Sequence, residues 1–286
     1  MLAPIAADLA GRTILVTGAN AGIGKETARA LASLKARVVL ACRSRERGEA
    51  ARRELAEAAG SAAVELGIVD LGSQASIRAF ALAFISSHDA LHVLVNNAGI
   101  WLQERQVGPD GIEATWATNV LGYHLLTRLL LPLLEKSAPA RIVNVASMFA
   151  QGLDLTDVQF ERRRYKGPLA YAQSKQADRM LTWALARRLE GTSVTANAMH
   201  PGGVNTTLFR KAGGILGAAA SVYAGMAGKA PEDGADTVVF LAASPDVEGV
   251  SGQFWVDRRE RPCAFRDPHG EEALWALCES MTAGGE

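Results

Sequence analysis

Short runs of aliphatic and β-branched residues recur along this chain, separated by longer stretches whose apolar positions repeat at helical spacing. The runs at 13–17, 37–41, 63–68, 92–95, 141–146, 194–198 and 253–256 show little polar alternation, which predicts strands covered on both faces. Between them the helical period predicts helices near 23–35, 45–59, 74–88, 111–135, 170–190 and 231–243, with Ser73 and Pro231 as start signals. Strand then helix, repeated without a linker or an internal repeat, is the pattern of βαβ units wound on a parallel sheet. The expectation is an α/β, doubly wound fold with a seven-stranded parallel sheet, forming a single domain over residues 1–286. Residues 258–286, helical near 271–281, are expected to pack on it as a C-terminal appendage.

Composition narrows the partners. The chain has 286 residues, 49% hydrophobic and 21% charged, which excludes disorder and fibrous classes, and its 30 Lys and Arg balance 30 Asp and Glu. That neutrality argues against nucleic acid or an anionic membrane surface and for a small-molecule partner. The three cysteines, Cys42, Cys263 and Cys278, are widely spaced and give neither a disulfide framework nor a zinc pattern. They suit a reducing compartment, so a cytoplasmic location is expected. Met1-Leu2-Ala3-Pro4-Ile5 shows no basic flank before an apolar run, so neither a signal peptide nor an integral membrane anchor is expected. The uncharged stretch 212–228 holds five glycines in 17 residues and reads as a loop, since a span needs about 20 predominantly apolar residues.

The first predicted strand runs into Thr17-Gly18-Ala19-Asn20-Ala21-Gly22-Ile23-Gly24 before a helical pattern begins. Glycines there let the backbone approach a pyrophosphate, and the N–H groups of the following helix attract its charge. A purely structural glycine turn is the alternative. A free ribose 2′-hydroxyl is normally gripped by an acid about 20 residues beyond such glycines. Here the sequence after the second strand is Ala41-Cys42-Arg43-Ser44-Arg45, which offers a guanidinium suited to a 2′-phosphate and points to NADP(H). A solvated loop arginine is the other reading of Arg43. Further on, Tyr171 and Lys175 stand at i and i+4 on a predicted helix, where the ammonium stabilises a phenolate and lowers its pKa. A Tyr-x-x-x-Lys spacing alone also arises by chance.

Together these motifs resemble the short-chain dehydrogenase/reductase superfamily, whose first turn is TGxxxGIG and here reads TGANAGIG. The stretches VVLACRSRERGEAA, RIVNVAS, LAYAQSKQA and LARRLEGTSVTANAMHPGGVNTTL, with an insertion at 154–168, are similar to its retinol dehydrogenase-like branch. The resemblance implies the Rossmann form of the fold. It implies catalytic roles for Ser147, Tyr171 and Lys175, with Asn119 ordering a proton-relay water. For the cofactor it implies Gly18, Asn20, Gly22, Ile23 and Gly24 at the phosphates, Arg43 and Ser44 beyond the second strand, and Asp70 with Leu71 at the adenine. Asn97, Ala98 and Gly99 would line the adenosine side, Tyr171 and Lys175 would meet the ribose, and Pro201, Gly202, Val204 and Thr206 would meet the nicotinamide side. Asp70 also reads as a turn aspartate before Gly72, and Ser147 as a strand-end turn residue.

The expected function is an NADP(H)-dependent oxidoreductase interconverting a carbonyl and an alcohol by hydride transfer, with Tyr171 as acid and base. A non-catalytic NADP-binding regulatory protein on the same fold is the alternative. Met148, Phe149 and the apolar residues of 208–228 suit an apolar or aromatic substrate, although core or dimer packing explains them equally. Arg162-Arg163-Arg164 reads as a solvated turn rather than a steering patch. His200 reads as structural, and no metal is implied. The apolar helices around 120–134 and 181–189 are expected to pair across a two-fold axis, as is common in the family, giving a homo-oligomer.

Overall fold

In the computed structural model, which describes residues 5–59, 63–203 and 229–284, the predicted alternation is present throughout. The first half contains β1 (Thr13–Thr17), α1 (Gly22–Ser33), β2 (Arg37–Cys42), α2 (Arg45–Ala59), β3 (Val64–Ile68), α3 (Gln74–Ser87) and β4 (Val93–Asn96). A helical segment follows, made of α4 (Ala114–Trp116), a π-helical turn (Ala117–Leu121) and α5 (Gly122–Lys136). The second half contains β5 (Ala140–Val145), α6 (Gly167–Arg188), β6 (Val194–His200), α7 (Pro231–Ala243), β7 (Phe254–Val256), β8 (Arg259–Glu260) and α8 (Pro268–Thr282).

The strands form one sheet in the order β3-β2-β1-β4-β5-β6-β7-β8. Chain order reverses between β1 and β4, and in open sheets of this kind the ligand crevice opens beyond the carboxyl ends of the strands at that point. Successive side chains on β1 take opposite faces. Leu15 joins Leu94, Ile142 and Ala196 under α3, α5 and α6, whereas Ile14 and Val16 join Val38 and Val95 under α1 and α7. Ile14, Leu15 and Leu94 are fully buried, each contributing about 1.5–3 kcal/mol relative to exposure. The start signals hold: Ser73 Oγ accepts from Ser76 N at 3.3 Å, and Pro231 occupies the first turn of α7.

The sheet has eight strands rather than the seven expected, and the eighth is antiparallel. Asp257 (φ 51°) and Arg258 (φ 56°) form a two-residue turn that folds β8 back on β7. Neither residue is glycine and β8 is two residues long, so the sequence carried no turn signal and no alternation to read. The helix expected from 111 starts at Ala114, because Glu113 accepts from Thr115 N and Trp116 N at 2.9 and 2.7 Å and so caps it.

The tail is anchored. Leu274, Trp275 and Cys278 of α8 are buried, and Arg187 of α6 pairs with Glu271 and Glu272. Within the 181–189 stretch, one of the two expected to pair between copies, Leu181, Leu185 and Leu189 belong to the same buried cluster as Trp275. Among the described residues no helix is long and apolar enough to cross a membrane, and no group of three His, Cys, Asp or Glu could hold a metal ion.

Candidate active site

β1 delivers the glycine turn to the reversal point of the sheet. Gly18 and Gly22 have φ of +66° and +55°, and an added Cβ on Gly24 would lie 2.4 Å from Asn97 Nδ2. α1 starts at Gly22, within this glycine stretch, and the side chain of its cap residue Ala21 accepts no hydrogen bond. The first N–H groups of α1 are therefore open to an anion, as a pyrophosphate site requires. Thr17 fastens the turn to the end of β4: its Oγ1 accepts from Asn97 N (2.9 Å) and Ala98 N (3.0 Å), and its carbonyl accepts from Asn97 Nδ2 (2.8 Å).

Arg43 is exposed just past β2, and Ser44 Oγ accepts from Arg47 N at 3.3 Å at the start of α2. Asp70 Oδ1 accepts from Gly72 N at 2.9 Å, which closes a turn. Leu71 is buried, its carbonyl 2.8 Å from where a Cβ on Gly122 would stand. Pro201 and Gly202 (φ +88°) follow β6, whereas Val204, Thr206 and the 208–228 stretch lie outside the described residues.

Ser147, Tyr171, Lys175 and Asn119 converge beyond β4 and β5. Ser147 follows β5 and hydrogen-bonds Tyr171. One helical turn along α6, Lys175 Nζ lies 5.9 Å from the Tyr171 ring centre and donates to Val145 O at 2.9 Å. Asn119 sits in the π-helical turn, a feature common at functional sites. Its Oδ1 accepts from Ile100 N (2.8 Å), and its Nδ2 donates to Ile100 O and Ser174 Oγ (both 3.0 Å). Asn119 and Lys175 approach each other at Gly99, where a Cβ would meet Asn119 Oδ1 at 3.6 Å and Lys175 Nζ at 3.9 Å.

Electrostatics at the phenol run in opposing directions. Burial pushes the Tyr171 pKa up, Lys175 and the Ser147 bond pull it down, and Asp178 pushes it up again, leaving it above the ordinary value. The lowering expected from Lys175 is present but outweighed by burial. Burial pulls the Lys175 ammonium down, but Asp178, 2.8 Å away, together with Tyr123 and Tyr171 raises its pKa above the ordinary value. Burial pushes the His200 pKa down to about 4, so its ring is neutral at pH 7, and its Nδ1 accepts from Met148 N at 3.1 Å.

A model of the short chain dehydrogenase family matches residues 12–214. Dehydrogenase/reductase SDR family member 13 of Bos taurus is 43% identical over 285 residues, 98% of this chain and 75% of that protein. Retinol dehydrogenase 12 of Homo sapiens is 41% identical over 279 residues, 96% of this chain and 87% of that protein. The chain belongs to the short-chain dehydrogenase/reductase superfamily, in its retinol dehydrogenase branch. Among solved structures, an uncharacterized protein from Mycobacterium paratuberculosis superposes on this short-chain dehydrogenase with TM-score 0.76 and 32% identity, covering 97% of this chain and 95% of that one. An Escherichia coli CFT073 structure complexed with NADPH gives TM-score 0.71 and 25% identity over 90% of this chain and all of that one.

Several residues of this dehydrogenase site escaped the sequence reading. Thr17 carries three bonds of the phosphate turn, and its signal was its place directly before Gly18. Tyr123 donates to Ala98 O at 2.7 Å and lies under Lys175, 5.1 Å from its ring centre to Nζ. Asp178 is one helical turn from Lys175, a spacing visible in the sequence but not used. Arg179 donates to Ser147 O and stacks on Phe254 at 3.8 Å, fixing the residue after β5. Trp101 stacks on Tyr171 (4.9 Å) and Phe149 (6.0 Å), and Met148 and Phe149 are exposed beside them. The basic triplet is partly tied down, since Arg163 bonds Asp157 and Gln173 and so pins the insertion to α6.

Proposed function

We propose that this short-chain dehydrogenase interconverts a carbonyl and an alcohol on an apolar or aromatic small molecule, with NADP(H) as cofactor and Tyr171 as the proton donor and acceptor. The observation that carries this reading is the buried Ser147–Tyr171 hydrogen bond with the Lys175 ammonium one helical turn below it. The uncapped start of α1, the positive-φ glycines Gly18 and Gly22 leading into it, and an exposed guanidinium past β2 fit a phosphorylated dinucleotide. In this reading the 18–24 turn holds the pyrophosphate, Arg43 and Ser44 the 2′-phosphate, Asp70 and Leu71 the adenine, and Asn97, Ala98 and Gly99 the adenosine side. Lys175 holds the ribose, and Pro201 and Gly202 with Val204 and Thr206 hold the carboxamide side.

When bound, the nicotinamide supplies hydride to the carbonyl carbon or accepts it from the alcohol. Tyr171 gives its phenolic proton to the developing alkoxide, and in the reverse direction its phenolate takes the alcohol proton. Ser147 Oγ donates to the same oxygen, stabilising the charge that develops there. Asn119 fixes the backbone at Ile100 through two bonds, holding the wall behind Lys175. The exposed side chains of Met148 and Phe149, beside Trp101, offer apolar area for the substrate.

Loss of NADPH absorbance with a panel of aldehydes and ketones tests the reaction. Tyr171→Phe is expected to lower kcat by at least about 100-fold, the usual contribution of a positioned acid, with NADPH binding retained. Turnover of the variant at the wild-type rate would defeat the assignment. Arg43→Asp is expected to weaken NADPH at least about tenfold while NADH changes little, through loss of one charge-assisted phosphate contact. Equal weakening of both nucleotides in a fluorescence titration would remove the 2′-phosphate role.

A further inference from the structure

The Lys175 ammonium has an acidic neighbour that the catalytic scheme does not use. Asp178 is buried, with its side chain fully shielded, and its Oδ2 accepts from Lys175 Nζ at 2.8 Å. Its Oδ1 makes no hydrogen bond. Asp178 also lines a cavity of about 20 Å³ with Tyr123, His124, Thr127, Asn144 and Trp275. Other titratable groups facing it are Lys175 and Tyr171 on α6, Tyr123 and His124 on α5, and Cys278 on α8. Of these only Lys175 is a cation at neutral pH, because burial pushes the His124 pKa down to about 3. A carboxylate with one bare oxygen, out of reach of solvent, acts on its neighbours almost unscreened. Burial raises the pKa of Tyr171, Tyr123 and Cys278, and the charge of Asp178 adds to the shift in each.

We propose that Asp178 is a positioning residue for this reaction: it pins Lys175 beneath the site and offsets part of the ammonium charge that faces Tyr171, favouring the phenol, the form that carbonyl reduction consumes. The proposal rests on the assignment of Tyr171 as acid and base. A catalyst leaves the equilibrium untouched, but the protonated phenol is the form that reduction consumes and the phenolate the form that oxidation needs. Lys175 alone would favour the phenolate, and Asp178 beside it offsets part of that pull. The arrangement also separates two duties of the lysine. Its position is fixed by Val145 O and Asp178, while its electrostatic pull on Tyr171 is tempered by the second of these.

The test is the onset of tyrosinate absorbance in the protein without nucleotide, with the step belonging to Tyr171 identified by its loss in Tyr171→Phe. Asp178→Asn keeps the shape and an acceptor for Lys175 but removes the charge. It is expected to move the Tyr171 step to lower pH by about one unit, and to move the rising, acid-side limb of the alcohol-oxidation profile the same way. Asp178→Glu keeps the charge and is expected to leave the step in place. Asp178→Ser, which opens the cavity to water, is a second neutral variant with the same expectation as Asp178→Asn, should the latter not fold. An unchanged or raised Tyr171 step in the folded neutral variants overturns the proposal, and so does an equal shift in Asp178→Glu, since packing would then be responsible. If instead Tyr171→Phe keeps full turnover, the acid–base assignment itself fails. That outcome is read from a different variant and leaves the absorbance result interpretable.

Discussion

Individual positions around the glycine turn are constrained by contact rather than by backbone conformation alone. Gly24 lies inside α1 with ordinary helical geometry, so alanine would suit its backbone, but a Cβ there meets Asn97 Nδ2 at 2.4 Å and Gly18 O at 2.7 Å. Gly24→Ala is therefore expected to push Asn97 off Thr17 O and distort the turn, costing about 1–3 kcal/mol as an overpacking change. A lowered thermal midpoint together with at least tenfold weaker NADPH binding, about 1.4 kcal/mol, checks it. Unchanged binding would mean that the neighbours yield. Thr17 illustrates a different limit of sequence reading. Its partners, Asn97 and Ala98, are 80 and 81 residues away, and only the pairing of β1 with β4 brings them together.

At the scale of elements, α6 does the most for the site, since one helix supplies Tyr171, Ser174, Lys175, Asp178 and Arg179. Helical spacing makes that legible, because residues three and four apart share a face. The π-helical turn that carries Asn119 was not legible, because the sequence reads through it as ordinary helix near 111–135. α8 acts from the outside: Trp275 packs its ring edge-on against His124 at 4.6 Å and lies under Arg188 at 4.2 Å. Trp275→Ala is expected to lower unfolding stability by about 3–5 kcal/mol, the usual cost of deleting a buried large aromatic. A urea midpoint within error of wild type would show that α8 contributes little to holding α5 and α6.

For the whole molecule, buried His124 and half-buried His200 contribute to the acid limit. Burial pushes His124 down to about 3 and His200 down to about 4, against an ordinary value of 6.5. Both are neutral in the folded protein and take up protons on unfolding below pH 6.5. Stability is therefore at its full value above pH 6.5 and is lost as pH falls toward 4 and then 3, by up to about 1.4 kcal/mol per pH unit for each histidine. Thermal midpoints recorded from pH 7 to pH 4 should fall steadily, and His124→Asn should flatten part of that slope. A flat profile in the wild type would show that these rings are solvated.

The sequence by itself determined what is local: the alternation of strand and helix, the glycine turn with its helix, the Tyr171–Lys175 pair, and the caps at Ser73 and Pro231. Each depends on neighbours within one element, so side-chain period and backbone preference suffice to read it. Tertiary structure decided what those parts do to one another. It added an antiparallel edge strand through a turn with no glycine, and it covered the apolar face of α6 with α8. It also put Trp101 against Tyr171 and raised rather than lowered the phenol's pKa. Burial is a property of the assembled molecule, and the sign of a pKa shift depends on it as much as on the residue standing one turn away.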